Sequence, residues 1–190
     1  MQIRERYLLI VDLEATCCDD RSIPRREMEI IEIGAVMLDL GDRRVISEFQ
    51  HWVRPVRHPQ LTPYCQQLAT ITQAAIDTAP IFPSVLQTML TWLTPQPKPF
   101  RFASWGVYDQ HQFKRDCALH RVAYPFVGAH LNLQQVFAAT IDPYFAGSMI
   151  QALDRFGLPF QGTHHRGLDD ARNTAAIALQ LIDTVASTHL

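Results

Sequence analysis

The sequence is poor in lysine and has no excess of positive charge. Only Lys98 and Lys114 are lysines, and 17 basic against 19 acidic residues leave a formal net charge of −2. No general basic field surrounds such a chain, so any contact with nucleic acid must come from a local basic patch or a metal site.

Cysteine and long hydrophobic runs are also scarce. The four cysteines contain no C-x-x-C pair, which favours free thiols in a reducing compartment over a disulfide framework. The longest early apolar run, 7–11, is followed by Asp12 and is too short for a signal peptide or a membrane span. We therefore expect a soluble, cytoplasmic protein without a membrane partner. No protein partner can be inferred from the sequence.

The residues that are present describe an ordinary globular chain. Hydrophobic residues make up 47% and charged residues 19%, which excludes a disordered polypeptide. A chain of 190 residues is sufficient for one domain, and we predict a single domain over 1–190. The proline-rich stretch 94–99 is expected to be a stiff loop, because neither half of the chain would form a convincing unit alone.

Hydrophobic periodicity predicts a mixed α/β fold. Strands are expected at 6–13, 29–39, 44–53, 100–105 and 129–133. Helices are expected at 61–68, 73–76, 83–93, 109–121, 134–139, 149–156 and 168–185. The first three strands would form an antiparallel meander, and the first strand would be central because it is the most apolar.

Asp12 and Glu14 stand at the end of the first predicted strand. Residues i and i+2 of a strand point to the same face, so both carboxylates should project together. Two such close negative charges repel unless a cation neutralises them, and hard cations such as Mg²⁺ prefer carboxylate oxygen. Chance Asp-x-Glu pairs are common, so the position after an apolar strand is the stronger indication of a metal site.

Asp109 follows the fourth predicted strand through Gly106. An aspartate at the start of a helix is usually an N-cap, which is the structural alternative here. Because ligands of α/β sheets gather outside strand ends, Asp109 is also a candidate third carboxylate beside Asp12 and Glu14.

The segment 163–172 offers two histidine–aspartate pairs of equal spacing, His164 with Asp169 and His165 with Asp170. Residues 157–167 are expected to form a loop that leads into the long helix. A histidine on this loop could move while the aspartate is held at the start of the helix. The ordinary histidine pKa of ~6.5 suits a general base. His111 and Asp116 have the same spacing, but positions i and i+5 do not share a helix face, so we interpret that pair as surface.

Several carboxylates on separate elements, a loop histidine and no basic field suit two-metal phosphoryl transfer. Two divalent ions ~3.5–4 Å apart would clamp the attacking water and the leaving oxygen of a phosphodiester. A histidine would take the proton from that water.

Three stretches resemble the motifs of the DEDDh 3′-to-5′ exonucleases, and most closely those of the ERI-1-like branch. They are Val-Asp12-Leu-Glu14-Ala-Thr16-Cys, Ser-Trp105-Gly-Val-Tyr-Asp109 and His165-Arg-Gly-Leu-Asp-Asp170-Ala. The segments 29–36 and 61–73 are similar as well, so the resemblance covers nearly the whole chain, 6–185. Tyr64 and Ala69-Thr70 depart from the family pattern in a packing and turn segment.

The resemblance implies a ribonuclease-H-like fold, with a five-stranded mixed sheet flanked by helices. It implies direct metal binding by Asp12, Glu14 and Asp170, and a second ion held by Asp109. His165 would be the general base, because the last aspartate of the family motif precedes a small residue, here Ala171. The cofactors would be two Mg²⁺ or Mn²⁺ ions.

The resemblance also indicates how a substrate would be held. Backbone groups of Ala15 and Thr16 would meet the 3′-terminal nucleotide. Trp105 would stack on a base, with a purely structural core tryptophan as the alternative.

We predict a 3′-5′ exonuclease that acts on single-stranded 3′ ends, RNA in preference to DNA, and releases nucleoside 5′-monophosphates. The alternatives are a proofreading-type DNA exonuclease, a non-catalytic nucleic-acid-binding module on the same fold, and a phosphatase of small phosphate esters.

Overall fold

A five-stranded mixed sheet organises the chain. The computed structural model describes residue 3 and residues 5–187. The outermost residues of the predicted domain 1–190 lie outside this part, and the single domain stays a prediction. The strands are β1 (Tyr7–Ala15), β2 (Ile30–Asp39), β3 (Arg44–Trp52), β4 (Phe100–Ser104) and β5 (Leu131–Asn132).

The sheet has the order β3-β2-β1-β4-β5. β2 is antiparallel to both β1 and β3, whereas β4 is parallel to β1, and β5 is parallel to β4. The predicted meander and the central position of the first strand are confirmed. β5 is shorter than predicted, because the Asn132 side chain already caps the next helix by accepting a hydrogen bond from Gln135 N.

Helices form where the apolar spacing predicts them. They are α1 (Pro63–Ala69), α2 (Gln73–Asp77), α3 (Phe82–Leu93), α4 (Tyr108–Leu119), α5 (Leu133–Thr140), α6 (Met149–Arg155) and α7 (Gly167–Ser187). A single 3₁₀ turn, Arg25–Glu27, lies between β1 and β2. Among the described residues, none of the helices is both long enough and apolar enough to cross a bilayer.

The two faces of β1 enter different parts of the core. Leu9, Val11 and Leu13 pack in the cluster built with α3 and α4, whereas Leu8 and Ile10 pack in the cluster built with α5, α6 and α7. Because side chains alternate along a strand, the even positions that follow Ile10 continue towards the α7 face. The carboxylates of β1 are therefore directed to the side of the sheet where α7 begins.

Two glycines let α7 lie directly on the sheet. A Cβ added at Gly34 of β2 would overlap the carbonyl carbon of Gly167 and the nitrogen of Leu168. A Cβ added at Gly167 would lie 2.9 Å from the carbonyl oxygen of Asp12. This close contact fixes the first turn of α7 beside the end of β1.

Asp116 corrects one interpretation from the sequence. His111 is exposed as expected, but Asp116 is buried. Its Oδ1 accepts a hydrogen bond from Ile30 N at 3.0 Å, and its Oδ2 accepts one from Gln112 Nε2 at 2.7 Å. The spacing showed that the two residues are on different helix faces, but it gave no indication that β2 covers the Asp116 face.

Candidate active site

Three carboxylates converge where β1 ends and α7 begins. An oxygen atom from each of Asp12, Glu14 and Asp170 lies within 4.8 Å of the other two. Asp12 and Glu14 belong to β1, and Asp170 lies in the first turn of α7. The structure thus brings together three of the four carboxylates that the sequence suggested for metal binding.

Asp109 lies on the wall of the same cavity but outside this three-residue cluster. It is the second residue of α4 and is buried. Its Oδ1 accepts a hydrogen bond from Leu13 N at 3.1 Å. The helix N-cap is Val107, so Asp109 is not the cap that the structural alternative required.

His165 lies next to the carboxylates on the loop that leads into α7. Its backbone N–H donates to Asp170 Oδ2 at 3.0 Å, and its Nδ1 is 3.9 Å from Glu14 Oε1. The side chain is 38% exposed and the backbone has φ of +63°, in the left-handed region. The hydrogen bond to Asp170 stabilises this uncommon backbone conformation, which directs the imidazole into the cavity.

The rings of His164 and His165 are 3.9 Å apart between centroids. Burial, followed by the neighbouring His164, lowers the pKa of His165 below its ordinary value. The imidazole is therefore neutral and able to accept a proton at neutral pH.

The carboxylates raise one another's pKa. Burial is the main cause for all of them, and the neighbouring carboxylates add to it at Asp12, Glu14 and Asp170. The pKa of Asp12 lies well above its usual range, and that of Glu14 rises to about 9. The pKa values of Asp109 and Asp170 rise to about 7. Such a cluster is unfavourable when ionised unless a cation compensates the charge.

The donor set fits a hard divalent cation. Asp170 Oδ1 is buried and has no hydrogen-bond partner, as expected of an oxygen reserved for a ligand. His164, His165 and Asp170 form a second group of closely spaced donors. Mg²⁺ and Mn²⁺ prefer oxygen to imidazole, so the Asp12, Glu14 and Asp170 set suits them better.

Glu32 supports the site and was missed by the sequence analysis. It is fully buried in β2 and lies opposite Glu14 in the β1–β2 ladder. Its Oε2 accepts hydrogen bonds from Gly167 N at 3.2 Å and Arg166 Nε at 3.3 Å, and its Oε1 accepts one from Gln50 Nε2 at 3.0 Å. Glu32 therefore ties the start of α7 to the sheet. An acidic residue inside an otherwise apolar strand was the signal that could have revealed it.

Trp105 forms part of a cavity of about 350 Å³ around the carboxylates, together with Ala15. The indole Nε1 donates to Gly147 O at 3.4 Å, and the ring packs edge-on against Phe137 and Phe145. The side chain is thus held in the core at its edges while it lines the cavity. These core contacts agree with the structural alternative, and the stacking of Trp105 on a base stays a prediction.

Thr16 is not among the residues that line the cavity. Its N–H donates to Glu29 O at 2.8 Å, and its Oγ1 accepts from Glu29 N at 3.0 Å. This pairing occupies the Thr16 N–H, so that group is not available to a nucleotide. Of the two backbone positions predicted to meet a substrate, Ala15 is the one on the cavity wall.

Comparison with known proteins identifies relatives of this arrangement. The family model described as Exonuclease (RNase_T) matches residues 9–178. The 3′-5′ exonuclease eri1 of Schizosaccharomyces pombe is 32% identical, and the match covers 93% of this chain and 68% of that protein. The 3′-5′ exoribonuclease 1 of Homo sapiens is 31% identical, but the chain spans only 52% of its length.

Solved structures share the same fold. The nuclease domain of 3′hExo, described as a DEDDh family member bound to rAMP, superposes with a TM-score of 0.84 at 28% identity. That match covers 94% of this chain and 92% of the other. Exonuclease X in complex with 5′ overhanging duplex DNA has a TM-score of 0.67 at 22% identity over 94% and 93% of the two chains, and shows a likeness of fold alone.

Proposed function

This chain belongs to the Exonuclease (RNase_T) family, within the ERI-1-like branch of the DEDDh 3′-5′ exonucleases, and from that premise we propose how it acts. It hydrolyses the last phosphodiester bond of single-stranded nucleic acid, with two divalent ions and His165 as the general base, and prefers RNA. The products are nucleoside 5′-monophosphates. The convergence of three carboxylates beside His165 carries this proposal.

Asp12, Glu14 and Asp170 would hold one Mg²⁺ or Mn²⁺ ion directly, and Asp109 would contribute to the second. Bound divalent ions make a water more acidic and stabilise the negative charge that develops on a phosphodiester during hydrolysis. The unpartnered Asp170 Oδ1 and the raised carboxylate pKa values support this assignment.

His165 would accept the proton of the attacking water. Its lowered pKa keeps the ring neutral, and its partial exposure leaves it accessible to solvent and substrate. Ala15 and Trp105 line the cavity where the terminal nucleotide would lie. The water oxygen would bond to the phosphorus of the terminal nucleotide as the bond from that phosphorus to the 3′ oxygen of the preceding nucleotide breaks. That oxygen would take a proton from solvent and stay on the shortened strand as its new 3′ hydroxyl.

The preference for RNA is supported by the relatives' names. The human relative is called an exoribonuclease, and one structural neighbour with a TM-score of 0.84 is a 3′-exonuclease solved in recognition of a histone mRNA stem-loop. None of the five residues of the motif is missing, which disfavours a non-catalytic binding module.

The proposal is tested with RNA and DNA single strands of equal sequence, each with a free or a blocked 3′ end, in Mg²⁺, Mn²⁺ or EDTA. We expect metal-dependent laddering of the unblocked strands to 5′-monophosphates, faster for RNA, and no cleavage by Asp12→Asn. Faster cleavage of DNA would support the DNA exonuclease instead. Binding without cleavage in any metal would indicate the non-catalytic module, and release of phosphate without mononucleotides would indicate the phosphatase.

A further inference from the structure

A second hollow, here called the α4 groove, adjoins the catalytic cavity. It has a volume of about 750 Å³ and is lined by Arg25, Met28, Val107, Tyr108, His111, Lys114 and Arg115. Met28 and Tyr108 also line the catalytic cavity, so the two hollows share a wall. Anything that leaves the cavity across this wall enters the α4 groove.

The two hollows have opposite charge. Four carboxylates line the catalytic cavity, whereas no carboxylate lines the α4 groove. Within the described part of the chain, Arg25, Lys114 and Arg115 form no ion pair, although arginines elsewhere do so repeatedly. Arg115 still acts on the Asp116 carboxylate, where it partly offsets the rise in pKa that burial causes, and Lys114 lies over the Tyr124 ring. In a chain of net charge −2, three cations without an ion pair beside the active site still form a local attraction for an anion.

Arg115 shows how these cations are arranged. Its Nη1 donates to Arg25 O at 2.8 Å, which joins α4 to the 3₁₀ turn. Its Nε is buried and has no hydrogen-bond partner. A buried guanidinium nitrogen without a hydrogen-bond partner destabilises the fold unless a ligand accepts its hydrogen bond. Phosphate is a suitable acceptor, because its oxygens match guanidinium geometry.

Exposed apolar side chains accompany the cations. Tyr108 is 40% exposed and lies where the groove meets the cavity, and Val107, 44% exposed, lines the groove beside it. Exposed aromatic rings among positive charges are typical of surfaces that bind single-stranded nucleic acid, because bases stack on the rings while the phosphates bind the cationic side chains.

We propose that the α4 groove binds the phosphodiester backbone of the substrate strand just upstream of its terminal nucleotide. This inference rests on the proposed function, since it needs the terminal nucleotide in the catalytic cavity. The strand passes over Met28 and Tyr108, and its upstream phosphates meet Arg25, Lys114 and Arg115. Contacts of this kind position a strand without reading its sequence, so the groove serves RNA and DNA alike.

The test compares a strand with a substrate that lacks upstream phosphates. The first substrate is a single strand roughly ten nucleotides long, and the second is the p-nitrophenyl ester of a nucleoside 5′-monophosphate. The variant is Arg25→Gln with Lys114→Gln, and Arg115 is kept because it also bonds to the Arg25 carbonyl. Lys98→Gln is the control, since Lys98 is an exposed lysine next to the start of β4, at the opposite end of that strand from the site.

We expect the ratio of strand to ester kcat/KM to fall about tenfold in the double variant at about 0.15 M salt. The plot of log kcat/KM for the strand against log salt should become less steep by about 1.4, since each single-strand phosphate contact contributes ~0.7. Lys98→Gln should retain the wild-type ratio and slope.

An equal loss on both substrates, or an unchanged ratio and slope, would overturn the inference. If the wild-type protein cleaved neither substrate in any metal, the proposed function would fail instead. In that case the Kd of a fluorescently labelled, 3′-blocked strand is measured by fluorescence anisotropy for the wild type and the double variant. Equal Kd values for the wild type and the double variant would then refute the groove.

Discussion

His164 and His165 are adjacent in sequence and in space, but different contacts hold them. The backbone of His165 bonds to Asp170, and its ring lies near Glu14. The ring of His164 packs edge-on against Phe160, with 5.6 Å between the ring centroids. A ring nitrogen of His164 also lies within 4.8 Å of an Asp170 oxygen, but the backbone N–H that bonds to that carboxylate belongs to His165. This difference supports the assignment of the proton-accepting role to His165 rather than to its neighbour.

Replacing His165 by asparagine tests that assignment. Asparagine tolerates positive φ better than most residues, so His165→Asn should keep the loop conformation while it removes the base. We expect kcat to fall by ~10²–10⁴. His164→Asn is the matched control and should cost far less. The Mg²⁺-induced increase in Tm should persist in both variants, because the carboxylates are intact. A more severe effect of His164→Asn would move the general base by one residue.

At the scale of elements, the contact between β2 and the first turn of α7 sets the geometry of the site. Gly34 and Gly167 allow this contact, and Glu32 bonds to the start of the helix from the same strand. Asp170 and His165 belong to this region of α7 and its preceding loop. Their distances to the β1 carboxylates therefore depend on how closely α7 approaches the sheet.

Gly34→Ala should damage both stability and catalysis. The added methyl group overlaps the backbone of α7, so the helix must move outwards, at a cost of about 1–3 kcal/mol in unfolding free energy. We expect kcat/KM per folded molecule to fall as well. Gly157→Ala is the control, because its φ of +65° is strained for alanine while no atom lies within 4 Å of the new Cβ. If both variants lost stability but kept full activity, the approach of α7 would not control the site.

Periodicity predicted the elements well, because helices and strands depend on local spacing. It placed Asp12 and Glu14 on one face of a strand, and the structure confirms this arrangement. Periodicity does not show what Gly34, Glu32 and Asp116 contact, although an acidic residue within an apolar strand marks Glu32 as unusual. Each of them acts on a segment distant in sequence, and only the folded topology shows which segment arrives there.

At the scale of the whole molecule, the carboxylate cluster links stability to pH and to divalent ions. Asp109, Asp170 and Glu14 have pKa values raised to about 7, 7 and 9. The unfolded chain releases these protons near pH ~4, whereas the folded protein retains them to higher pH. The folded state therefore binds more protons between these limits, and stability falls as pH rises.

Thermal unfolding in EDTA should show this loss, with Tm decreasing from about pH 5 to about pH 9. Saturating Mg²⁺ competes with the protons and should restore Tm most strongly at the alkaline end. Asp12→Asn in EDTA should have a Tm equal to or above that of the wild type at about pH 8, since it removes one repelling charge. A lower Tm for Asp12→Asn there, or a Tm in EDTA that rises steadily with pH, would contradict this account.

Asp170 serves two parts of the molecule, since one oxygen fits a cation and the other holds the backbone of His165. If Asp170 and His165 have the proposed roles, a descendant carrying Asp170→Ala would lose an ion ligand and the anchor of its base in one substitution. The cations of the α4 groove, which lie on α4 and the 3₁₀ turn, would remain. On these two proposals, a single substitution would convert a nuclease into a protein that binds 3′ ends without cleaving them.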